Sequence, residues 1–63
     1  MTLRVYILGE NMSFWLVYDN LKRIAPLYKY GEHVGFRLTG EDMKTHYIDM
    51  KRDYGQIRTW NVE

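Results

Sequence analysis

Residues 2–18 read TLRVYILGENMSFWLVY, and how this stretch is read decides the fold. Its first half alternates, with Leu3, Val5 and Ile7 on one side and Thr2, Arg4 and Tyr6 on the other. Successive side chains of a strand point to opposite faces, so 2–8 reads as a half-buried strand. The second half is apolar on both sides, with Met12, Phe14, Leu16 and Tyr18 opposite Trp15 and Val17. A strand covered on both faces has that composition. Gly9-Glu10-Asn11 supplies turn residues between them, so 2–8 and 12–18 are predicted to pair as an antiparallel hairpin.

The same rhythm continues along the chain. Turn formers recur at Asp19-Asn20, Gly31-Glu32, Gly40-Glu41-Asp42 and Asp53-Tyr54-Gly55. Between the turns lie LRVYIL, SFWLVY, LYKY, VGFRL, THYIDM and QIRTWNV, each carrying an aromatic. Short runs at even spacing with turn chemistry between them predict a small all-β domain. Within 33–39, Val34, Phe36 and Leu38 fall on the core side, while His33, Gly35, Arg37 and Thr39 fall on the open side. Gly35 would weaken the ladder there unless a bulge or a close approach requires it. The last run, 56–62, sets Ile57 and Thr59 opposite Gln56, Arg58 and Trp60. Leu3, Val5, Ile7, Val34, Phe36 and Leu38 are expected to be buried together. The expected fold is mainly β, a single small domain over 1–63. It would be an antiparallel sheet or barrel-like meander of five or six short strands. The six runs resemble the general habit of SH3-like or OB-like small barrels, a likeness of architecture that implies no particular function.

Two segments compete with that reading. Phe14, Val17, Tyr18, Leu21, Ile24, Ala25 and Tyr28 also fit a helical stripe, opposed by Pro26 and by the β-forming residues around it; a single turn at 20–25 is compatible with both. Met43, Tyr47, Met50 and Tyr54 recur at helical spacing. Glu41 and Asp42 would suit the start of such a helix, Lys51 and Arg52 its end, and Gly55 its cap. A helix at 41–54, giving an α+β fold, is therefore the alternative.

Composition narrows the function. A chain of 63 residues buries only about 60% of the surface its unfolded form exposes. It has no cysteine, so disulfides cannot support the core, and two histidines without thiolates do not make a closed zinc site. Self-association or a permanent partner remains as a support. The absence of cysteine suits a reducing compartment. With no unbroken apolar stretch at the start, the expected location is the cytoplasm of the producing or infected cell, with no membrane partner. Nine Lys and Arg against eight Asp and Glu leave a net charge of +1, far from the basic excess of a dedicated duplex binder.

No catalytic, metal or cofactor motif is present. His46 near Asp49 and His33 beside Glu32 are the only acid–base candidates, and both pairs read as surface polar residues. Ser13, the single serine, lacks a nucleophile elbow. The five glycines form no phosphate-binding pattern. What stands out is the interleaving of aromatics with arginines: Arg58 and Trp60 two apart in the last run, Arg4 and Tyr6 on the non-core side of the first, with Arg37 and Trp15. This mixture suits interface hot spots or stacking on unpaired bases, against the plainer reading in which the tryptophans fill the core. The leading expectation is a non-enzymatic protein-binding module, such as the small accessory or inhibitor proteins that phages and mobile elements encode. The alternatives are a single-stranded nucleic-acid binder using Tyr6, Trp15, Arg37, Arg58 and Trp60 on one sheet face, and a structural subunit or small homo-oligomer.

Overall fold

Alternation and turn chemistry carry through into the backbone. The computed structural model describes residues 1–63 and contains six strands and one helical turn: β1 (Leu3–Leu8), β2 (Ser13–Tyr18), β3 (Leu21–Lys29), β4 (Glu32–Gly40), β5 (Thr45–Asp49), α1 (Met50–Asp53) and β6 (Gln56–Val62). They form two antiparallel three-stranded sheets, in the orders β2-β1-β6 and β3-β4-β5. No barrel closes, so the fold is mainly β and open at its edges.

β1 and β2 pair as the alternation requires, from Leu3 opposite Tyr18 to Leu8 opposite Ser13. The β2–β3 corner turns on Asn20, which takes a left-handed conformation at φ 59, as the short polar side chain of asparagine permits. Thr2 Oγ1 donates to Asp19 Oδ1 across the same corner at 2.9 Å. No helix forms over 14–28. Pro26 sits instead on β3, an edge strand, where a missing N–H can be tolerated.

The two central strands, β1 and β4, supply most of the core. Leu3, Val5, Ile7, Phe36, Leu38 and Met50 form one buried cluster, and Phe14, Leu16, Tyr18, Leu21, Ile24, Ile48 and Ile57 pack around it. Val34 is buried, as expected, but lies outside the contiguous cluster. The cause is a bulge. Leu27 pairs with Gly35 and Tyr28 with His33, leaving Val34 without a partner and breaking the two-residue period. His33 instead packs its ring on Phe36 at 4.9 Å, and Val34 lines a shallow surface hollow with Lys29, Asp49, Lys51 and Arg52.

The ambiguity over 41–54 is resolved by dividing the segment. Residues 45–49 are a strand paired with β4, and only 50–53 coil into a helical turn. Asp49 ends the strand and caps the turn, its carboxylate accepting from the Arg52 N–H at 3.0 Å and from Lys29 Nζ at 2.8 Å. The apolar spacing that suggested a longer helix is carried by Tyr47 on the strand and Met50 in the core. No helix is long and apolar enough to cross a membrane.

Candidate functional site

On the outer face of the β2-β1-β6 sheet, strand pairing sets the rows. Tyr6 lies between Trp15 and Thr59, and Arg4 between Val17 and Asn61. The Tyr6 and Trp15 rings meet at 4.9 Å between centroids, tilted by 48°. Cross-strand aromatic pairs of this kind contribute to sheet stability, yet this one stays open: Trp15 is 53% exposed and Val17 46%. The expectation that β2 is covered on both faces is therefore corrected. Phe14, Leu16 and Tyr18 pack toward the core, while Trp15 and Val17 face outward with nothing over them. Polar residues rim the patch, among them Ser13, Gln56, Thr59 and Asn61. Arg4 Nε lies 3.4 Å from Glu63 Oε1, which offsets its charge.

The remaining sequence-derived candidates lie elsewhere. β6 carries a bulge: Tyr6 pairs with Thr59 and Ile7 with Ile57, so Arg58 is left unpaired. That extra residue breaks the alternation between Arg58 and Trp60. Trp60 consequently pairs with the fully buried Val5 and turns toward the opposite sheet, its ring 4.9 Å from His33 and 5.6 Å from Phe36. It is still 47% exposed at the open edge. Tyr28 closes the cluster from the other side of His33 at 5.3 Å, and a bond of 2.8 Å between His33 Nε2 and the Gly35 carbonyl fixes the imidazole. Arg37 belongs to the other sheet altogether, on its outer face between Ala25 and Tyr47. Arg4, Tyr6 and Trp15 thus share one face, which Arg37, on the other sheet, and Trp60, turned inward, do not join; Arg58 is exposed at the bulge of β6. No single face unites Tyr6, Trp15, Arg37, Arg58 and Trp60.

The acid–base candidates are also separated. His46 and Asp49 are three apart on a strand and point to opposite faces, and Asp49 is occupied by Lys29 and the helix cap. Those two donors, Lys29 first, hold the Asp49 carboxyl below its ordinary range. Asp53 is likewise lowered by the adjacent Arg52 side chain. Comparison with known proteins finds no match to the chain among family models, curated proteins or solved structures, so the functional reading rests on geometry.

Proposed function

We propose that this chain is a non-enzymatic protein-binding module whose docking surface is the outer face of the β2-β1-β6 sheet. One observation carries the reading: the tilted Tyr6–Trp15 ring pair, continued by Val17, is left open in a domain that buries only seven apolar residues. A small protein with so little core has reason to cover its large apolar side chains, and here it leaves an aromatic pair ringed by polar residues. Aromatic centres with polar rims are the anatomy of protein interfaces. The balance of Arg4 by Glu63 also suits a protein partner better than a polyanion. Binding there would modify a larger partner, as a small accessory or inhibitor protein does.

The test compares variants in partner capture from source-cell extract. Trp15→Ala should lose the captured protein, with binding weakened by about 2 kcal/mol or more. Tyr47→Ala, on the opposite sheet, should retain it. The same partner held equally by the Trp15 variant would refute this docking face. Sedimentation of the chain alone identifies the structural-subunit alternative, in which the chain self-associates and Trp15→Ala returns it to a monomer.

A further inference from the structure

The outer face of the second sheet carries a different chemistry. Four of the nine cations have carboxylate partners: Arg4, Lys29, Lys51 and Arg52. Of the five without one, Lys22, Arg23 and Arg37 line a single open hollow of about 570 Å³ on the β3-β4-β5 sheet, and no acidic residue lines it with them. That size falls within the roughly 300–1,000 Å³ of small-ligand sites. The clustering does not follow from general basicity, because the whole chain carries only +1.

Register explains how residues far apart in sequence meet. Arg23 pairs with Thr39, which pairs with Thr45; Ala25 pairs with Arg37, which pairs with Tyr47. The Thr39 and Thr45 hydroxyls bond to each other at 2.9 Å in the floor. Tyr47 stands 66% exposed beside Arg37. The acid-bearing contacts of this face, Lys29 with Asp49 and Lys51 with Glu32, lie at its other end.

We propose that this hollow binds single-stranded nucleic acid, with Lys22, Arg23 and Arg37 neutralising phosphates and Tyr47 offering its ring to a base. The guanidinium fork matches phosphate oxygens in a bidentate geometry. A positive groove with an exposed aromatic is the arrangement that holds unpaired strands without sequence reading. An acidic peptide would use the cations but not the stacking ring, which is why the nucleic acid is favoured. The site stands back to back with the aromatic face of the first sheet and does not depend on it.

Fluorescence anisotropy with short labelled oligouridylate and oligothymidylate tests the proposal. Binding should weaken with salt along a log–log slope of about −2, from three phosphate contacts at about 0.7 each. Arg23→Gln and Arg37→Gln should each make the slope shallower by about 0.7, and Arg37→Lys should restore it. Tyr47→Ala should lower affinity roughly five- to 150-fold with the slope unchanged. Trp15→Ala should have no effect, which separates this site from the docking face. Melting curves confirm that each variant is folded, and the exposed Arg23 and Tyr47 carry the test should Arg37→Gln fail to fold. Three results overturn the proposal: no binding at low salt, equal binding of a polyglutamate peptide with no loss on Tyr47→Ala, or loss of oligonucleotide binding in Trp15→Ala.

Discussion

Gly35→Ala is expected to be among the most damaging single-methyl changes available in this chain. A Cβ built at Gly35 would lie 1.8 Å from the Ile48 carbonyl oxygen, 2.9 Å from its carbon and 3.2 Å from the Met50 nitrogen. All three are backbone atoms, so no side chain can swing away. Reaching even 3.0 Å requires β5 to retreat by about 1.2 Å, against a register in which Gly35 faces Asp49 and Phe36 faces Ile48. Overpacking alone costs about 1–3 kcal/mol, and each ladder hydrogen bond lost adds about 1 kcal/mol. The Asp49 cap of α1 would be displaced as well. A total near 3 kcal/mol corresponds to a fall in Tm of about 12–24 °C for a domain this small. Since total stability for such a domain is about 5 kcal/mol, about 2 kcal/mol would remain, leaving roughly 3% of molecules unfolded at ambient temperature and little margin on warming. Gly31→Ala is the control: nothing lies within 4 Å of its Cβ, but its φ of +78 makes alanine strained by about 1 kcal/mol. Thermal and urea melts of both variants decide the matter. If Gly35→Ala melts no lower than Gly31→Ala, the close approach of β4 and β5 is wrong.

Three further outcomes are expected. Phe36→Ala removes a ring that is 2% exposed and should cost about 3–5 kcal/mol; tryptophan emission should shift too, since Trp60 leans on that ring, and a scarcely altered melt would place Phe36 outside the core. Tyr30→Asn should stabilise the protein by about 1 kcal/mol, because Tyr30 is fully exposed at φ 54 in the two-residue Tyr30-Gly31 turn, where asparagine is better tolerated; a lower Tm would show that the tyrosine makes compensating contacts. The lowered Asp49 carboxyl contributes stability that is present above the ordinary carboxylate pKa of about 4 and is lost as pH falls through its folded value. Asp49→Asn should accordingly flatten the acid limb of a Tm-against-pH curve, with the Asp53–Arg52 pair supplying the slope that remains, and an unchanged limb would exclude Asp49 as its source.

What the sequence disclosed depended on whether period-2 counting stayed in phase. It did so over Leu3, Val5 and Ile7, and again over Phe36 and Leu38, and there strand, face and burial agree with the expectation. It failed at His33 and between Arg58 and Trp60, where one extra residue in the strand puts the side chains on its two sides out of phase. Gly35 hinted at the first bulge; Arg58 offers no such marker. Over 41–54 two periods overlapped because a strand and a helical turn abut at Asp49, and neither pattern alone could divide them. The candidate site was partly legible. Arg4, Tyr6 and Trp15 meet because hairpin partners are close in sequence. Arg23, Arg37 and Tyr47 meet only through β3–β4–β5 register, which spacing along the chain does not reveal.

The placement of β1 also bears on how the chain acquires its structure during synthesis. Leu3, Val5 and Ile7 occupy a strand flanked on one side by β2 and on the other by β6, with Leu3 opposite Val62. A ribosome releasing this polypeptide delivers β1 first and its second neighbour after every other strand. Until 56–62 emerges, the β1–β2 hairpin has one unpaired edge, and the far side of its apolar face lacks Ile57 and Trp60. Ring closure between segments so distant is entropically slow, which defers the cooperative step until translation has passed β6. Interruption of synthesis before that point would release an intermediate with an exposed template edge, the species most open to aggregation or to capture by chaperones.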